Sequence, residues 1–306
     1  MSPIDSDPAL QDALGFAPEE AGRPNPLRWR NEPPMEGVFL NPAGQDGLTL
    51  LGLPSGLKPR RRMMLSSEVE AGPALKALAA DLLAVLQDPP VGSETAIFDV
   101  AGLSPDDLSM LGEILGDGEV SIVAGTDPIT QVSESTLTGV WRVRTETADG
   151  RTVGDQVEIG AVPRIVRAIN LAGSPVPAPL PHPLEPEVMN APPVIAEAFA
   201  KALEWTPGTP NHVINFTLMP MTPQDVALIT HCLGQAPMLI LSSGYGACRV
   251  VSSAVRRIWA VQYMNASGAI ILDTLEIGDV PGAALAAEQD FEDSAKRLAQ
   301  IMAAYL

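Results

Sequence analysis

The sequence predicts an α+β fold: two tandem copies of one domain, each with helices packed on a mainly antiparallel β-sheet. Three observations predict it. Sliding the chain by 118 residues aligns 98–163 with 216–281 without a gap and matches 18 of 66 positions, as an internal repeat would. Apolar residues recur at helical spacing at the start of each copy. Four short apolar runs then follow too closely to hold crossover helices between them, which favours antiparallel pairing.

The copies share one plan. A first helix carries Leu75, Leu78, Ala79, Leu82 and Leu86 in copy one, and Val194, Ala198, Phe199, Ala202 and Leu203 in copy two. A short strand is expected at 94–99 and at 212–218. The next helix begins at Ser104 or Thr222. There the hydroxyl caps free N–H groups, proline takes the first helical position, and Asp107 or Asp225 suits the positive end of the dipole. Leu115-Gly116 or Leu233-Gly234 ends it, the glycine serving as a left-handed cap. Strands are expected over 119–125, 129–135, 138–146 and 152–159, and again over 237–242, 247–252, 256–264 and 269–277. Trp141, Val143 and Thr145 share one face of their strand, opposite Arg142, Arg144 and Glu146. Trp259, Val261 and Tyr263 share the matching face, so the tryptophan side is the expected core side in both. A closing helix is expected over about 282–304. Its stripe is Phe291, Ala295, Leu298, Met302 and Tyr305, with Glu292–Lys296 and Asp293–Arg297 pairs on its wet face.

Proline sets the expected boundaries. Ten prolines fall in 1–60 and eight in 172–193, and proline breaks both helix and ladder. Residues 1–65 therefore read as a poorly ordered or extended leader and 172–193 as a stiff linker. The first repeat then spans 66–171 and the second 194–306.

The formal charge is −18 and the pI about 4.4. That balance suits neither a phosphate backbone nor anionic lipid, but it suits a basic partner. Aromatic residues at 4% are too sparse for a platform that stacks single-stranded bases. Cys232 and Cys248 stand sixteen positions apart, which is neither a zinc-ribbon nor a redox spacing. A reducing, intracellular setting is the simplest expectation. The start, Met1-Ser-Pro-Ile-Asp-Ser-Asp, lacks the basic and apolar regions of a secretory signal. No apolar run approaches the ~18 residues of a membrane span. The basic cluster Lys58-Pro59-Arg60-Arg61-Arg62 reads as a solvated loop.

No residue pattern points to chemistry. Asp155 with Glu158, repeated as Asp273 with Glu276, could be a general acid/base pair, but residues i and i+3 on a strand face opposite ways. His231 and Cys232 diverge around a helix, and nothing in the sequence activates Cys248. Leu115-Gly116-Asp117-Gly118-Glu119 puts its glycines after a helix, whereas a phosphate cradle needs them before one. Ser243-Gly244-Tyr245-Gly246 reads as a hairpin turn or as a loop offering tyrosine to a partner. No catalytic, cofactor-binding or metal-ligating residue is expected. The candidate partner-binding residues are Gly118, Glu119, Arg142, Gly244, Tyr245 and Gly246. The copies differ in charge, net −9 over 98–163 against −1 over 216–281. Like scaffolds with unlike surfaces suit an asymmetric partner.

The strings LGDGEVSI (115–122), GVWRV (139–143), NFTLMPMTPQD (215–225), ILSSGYGACRV (240–250) and LDTLEIGDVPGAALAAEQDFEDSAKRLAQIM (272–302) resemble the HupH/HyaF family of hydrogenase expression/formation proteins. The resemblance covers about 70–305. It implies a cytoplasmic, non-enzymatic chaperone in maturation of uptake nickel–iron hydrogenase, with no cofactor of its own. The implied partner is the precursor of the small iron–sulfur subunit, with other maturation proteins as further partners, and the acidic charge suits the basic twin-arginine leader of that subunit. The alternatives are a maturation enzyme acting in cluster delivery and a structural component of the assembled hydrogenase.

Overall fold

Hydroxyl–proline starts and alternating apolar residues set the elements of this chain. The computed structural model describes residues 70–243, 247–287 and 289–306. The leader expected over 1–65, and Gly244, Tyr245 and Gly246, lie outside the described residues. In chain order the elements are α1 (Pro73–Gln87), β1 (Ala96–Asp99), α2 (Pro105–Leu115), β2 (Val120–Ala124), β3 (Ile129–Glu134), β4 (Val140–Glu146), β5 (Thr152–Ile159) and α3 (Arg164–Leu171). They continue with α4 (Ala191–Glu204), β6 (His212–Asn215), α5 (Pro223–Leu233), β7 (Met238–Ser242), β8 (Ala247–Ser252), β9 (Ile258–Met264), β10 (Ile270–Ile277) and α6 (Asp290–Tyr305). Short 3-10 turns occupy Phe216–Leu218 and Gly282–Ala284.

The strands form one α+β sheet in the order β1-β5-β4-β3-β2-β7-β8-β9-β10-β6, and every neighbouring pair is antiparallel. A shift of 118 residues carries α2 onto α5 and β2 to β5 onto β7 to β10. The halves join at β2 and β7, where Ile122 faces Ile240, two residues related by that same shift. Pairing there hides the edge that each half would otherwise expose.

The tryptophan side is core. Trp141, Val143, Val132, Ile122, Ile240, Val250, Val261 and Trp259 belong to one buried cluster with α1, α2 and α6. The opposite side is core as well. In the first half Val140, Val157 and Ile159 are buried there; in the second Ile258, Ala260, Leu275 and Ile277 bury against α4 and α5, so four successive β9 residues, Ile258 to Val261, are all buried.

Several expectations need correction. Phe98 pairs with Val157, while Leu275, the residue 118 beyond Val157, pairs with Ile214. The edge strands are therefore two residues out of step with the gap-free alignment, and Phe216 opens a 3-10 turn. The buried stripe of α4 is Val194, Ile195, Ala198 and Ala202, with Leu203 60% exposed. Gly116 and Gly234 do end their helices at positive φ, but with ψ near −170°, a region glycine alone enters rather than the left-handed helical one. The closing helix begins at Asp290 instead of 282.

Helix α3 was not expected, because its apolar stripe of Ile165, Val166 and Ile169 is confined to eight residues. It is anchored from outside its own sequence. The Arg164 N–H donates to the buried Glu158 carboxylate at 2.8 Å. In the second half Glu276 is bonded by the Asn211 amide instead, Gly282 replaces Arg164, and only the 3-10 turn forms.

Candidate functional site

On the tryptophan face, Val120, Ser242, Cys248 and Tyr263 are successive cross-strand neighbours of β2, β7, β8 and β9. They floor a cavity of about 630 Å³. Glu134, the last residue of β3, lines it from one side, and Ala283, Leu285, Ala286 and Ala287 from another. Asp117, Gly118 and Glu119 with Ser135 and Thr136 complete the rim, and Asp290 at the start of α6 also lines it.

The first half fills the corresponding space with its own chain. Ser252 stands where the shift of 118 places Glu134, and Asn170 of α3 donates its Nδ2 to the Ser252 hydroxyl at 2.9 Å. Because the second half makes a 3-10 turn where the first makes α3, the place in front of Glu134 stays open.

Glu134 is 7% exposed. Burial pushes its carboxyl above the usual range, while the backbone N–H groups of Glu119, Val120 and Gly139 hold it down and the Glu119 charge pushes it up further. Among the described residues, no lysine, arginine or histidine lines the cavity. Among the described residues, no ion pair includes Glu134. Cys248 is buried, and burial together with the Glu276 charge pushes its thiol up to about 12 against a hydrogen bond with Tyr263. Burial also raises the Tyr263 hydroxyl. A thiol held neutral in this way is a poor nucleophile.

Gly118 is required by close approach. Its N–H donates to the Glu134 carbonyl at 2.7 Å, and a Cβ there would lie 2.4 Å from the Ser135 carbonyl oxygen. The Glu119 side chain is exposed at the rim, and its carbonyl accepts both the N–H and the hydroxyl of Ser243. Gly118 and Glu119 are thus brought together at the cavity mouth, next to the residue that precedes 244–246.

Arg142 lies on the other side of the sheet from the cavity. Its Nε and Nη2 donate to the two Asp155 oxygens at 2.6 Å each, and its side chain is 15% exposed. Asp155 and Glu158 face opposite sides of β5, as their spacing requires: Asp155 pairs across to Arg144 and Glu158 to Trp141. In the second half burial pushes Asp273 up to about 6, with Gln262 donating to it and Arg249 opposing the shift. Cys232 is buried against the second core while His231 is exposed, so they do not meet.

Glu134 and Tyr263 were missed as site residues. Parity held the signal: Glu134 shares its strand face with Val132, so an acidic side chain on the core-facing side of β3 was visible in the sequence.

Fold and cavity together define an α+β protein with one continuous antiparallel sheet and an acidic pocket beside the junction of its halves. The chain belongs to the HupH family of hydrogenase expression proteins. The family model described as "HupH hydrogenase expression protein, C-terminal conserved region" matches it in two segments, 71–171 and 188–305. The chain is similar to the hydrogenase expression/formation protein HupH of Rhizobium leguminosarum bv. viciae, at 37% identity over 88% of this chain and 98% of that protein. It is similar to HupH of Rhodobacter capsulatus at 38% identity, covering 88% and 95%. It is similar to the hydrogenase-1 operon protein HyaF of Escherichia coli K12 at 29%, covering 70% and 75%. Among the described residues, no helix is long and apolar enough to cross a membrane.

Proposed function

We propose that this chain is a cytoplasmic, non-enzymatic accessory protein of hydrogenase maturation, a chaperone for the precursor of the small iron–sulfur subunit. The observation that carries the reading is membership of a hydrogenase expression family through matches to both halves of the chain. The cavity supports a binding role, since it gathers Gly118 and Glu119 at a mouth while its one buried thiol is held neutral. The strand-for-strand shift of 118 residues supports descent of both halves from one module. The net negative charge suits a basic partner segment such as a twin-arginine leader.

The test is capture. Tagged full-length chain should retain the small-subunit precursor from cells that make it, and should retain less of a precursor lacking its leader. No retention of the precursor would reject the reading. The C232S/C248S double variant should support hydrogenase assembly like the parent; loss of assembly with normal folding would favour thiol chemistry instead.

A further inference from the structure

Glu134 is a buried carboxylate on an open cavity with, among the described residues, no cation opposite it, and that arrangement selects a ligand. A neutral occupant would leave the carboxylate with backbone N–H groups but no counter-ion, and burying a charge without an opposite charge is costly. An anion would meet Glu134 inside and Asp117, Glu119 and Asp290 around it. A hard metal ion needs several converging oxygens, and among the described residues no group of three acidic, histidine or cysteine side chains is placed to hold one.

The first half shows what the position accepts. There Asn170 presents an N–H donor to Ser252, the residue equivalent to Glu134. In front of Glu134 the second half supplies only the 3-10 turn Gly282–Ala284 and no such helix, so the donor must come from elsewhere and, facing a carboxylate, is better charged. Val120, Leu285 and Ala286 line the same cavity and suit an aliphatic stem whose charged head lies deeper. Guanidinium fits better than ammonium because it is weakly hydrated and presents several N–H groups to a carboxylate.

We propose that this cavity receives the guanidinium of an arginine side chain on a partner polypeptide, with Glu134 as its counter-ion. The proposal rests on reading the cavity as the partner-binding site and deepens that reading.

Isothermal titration of the full chain tests it with two peptides, acetyl-Gly-Ala-Arg-Ala-Gly-amide and the same peptide with citrulline, which keeps the shape and loses the charge. The arginine peptide should bind at least about tenfold more tightly than the citrulline peptide. E134Q should erase that difference, and E119Q at the exposed rim should largely keep it. A287W narrows the cavity without touching Glu134 and should weaken both peptides, which keeps the test decisive if E134Q does not fold. Equal binding of the two peptides would overturn the proposal, and so would parental binding by both E134Q and A287W. Arginine binding that emerges only in R60A/R61A/R62A would overturn it in favour of the chain's own basic cluster. No hydrogenase component enters this titration. Peptide binding without precursor capture would remove the proposed function and leave the pocket's ligand standing. Precursor capture without peptide binding would do the reverse.

Discussion

Replacing Asp225 by alanine tests how the second half is tied together. Asp225 is the third residue of α5, and its side chain is fully buried. Its Oδ1 accepts the N–H groups of Met189, Asn190 and Ala191 at 2.8 Å each, at the start of α4. Its Oδ2 accepts the N–H and the hydroxyl of Thr222 in a capping box. One carboxylate therefore starts two helices. Burial opposes its charge, but the N–H groups of Ala191, Thr222 and Met189 and the Thr222 hydroxyl outweigh that and bring it down to about 2. Asp107 occupies the same place in α2 but accepts a single distant N–H, from Gly72. An orphaned buried N–H costs ~1–3 kcal/mol and a lost cap ~1. Only the Ala191 bond is fully buried, so D225A should cost about 3–4 kcal/mol and D107A about 1–2. Urea titration followed by circular dichroism, at pH 7, measures both. The sign with pH follows from a folded pKa below the ordinary 3.8. The contribution is complete above about 4 and is lost as pH falls through about 2. Equal losses in D225A and D107A would refute the reasoning, because Asp225 holds three N–H groups at the start of α4 where Asp107 holds one, that of Gly72 before α1.

Three further outcomes are expected. The Trp141 indole N–H donates to the Gly160 carbonyl at 2.9 Å, whereas the Trp259 N–H has no partner among the described residues. W141F should therefore lose about 1 kcal/mol more than W259F, and either tryptophan to alanine should lose about 3–5; thermal melting decides, and identical melting of the two phenylalanine variants would count against the assignment. Asp273 is held up at about 6 from 3.8, so the folded chain binds that proton more tightly than the unfolded one. The stability of the parent minus that of D273N should fall as pH rises from about 4 to about 6 and then level off; urea titrations across that range check it, and a constant difference would contradict it. Burial raises both thiols, Cys232 and Cys248, so an aromatic disulfide reagent should label neither in the native chain at pH 7 and both after unfolding. Rapid native labelling would refute the burial argument.

What the sequence determined by itself is local or periodic. The shift of 118 residues, the starts of α2 and α5 at Ser104 and Thr222, and the strand face that carries both tryptophans depend on spacing and on nearest neighbours. Their physical causes act within a few residues, so the pattern records them. The opposite-facing placement of Asp155 and Glu158 belongs to the same class, because strand parity alone decides it.

Tertiary structure decided everything that needs two distant segments. The cap by the Thr222 hydroxyl and the placement of Asp225 at the positive end of α5 were legible, but the hold of Asp225 on residues 34 to 36 positions upstream was not. Pairing of β2 with β7 turned two half-sheets into one. The same post-strand position became helix α3 in one half and a 3-10 turn in the other. Glu158 caps the former, while Glu276 is engaged by Asn211. From that difference comes the cavity before Glu134. Its walls are drawn from segments more than 100 residues apart, and only packing brings them within reach of one another.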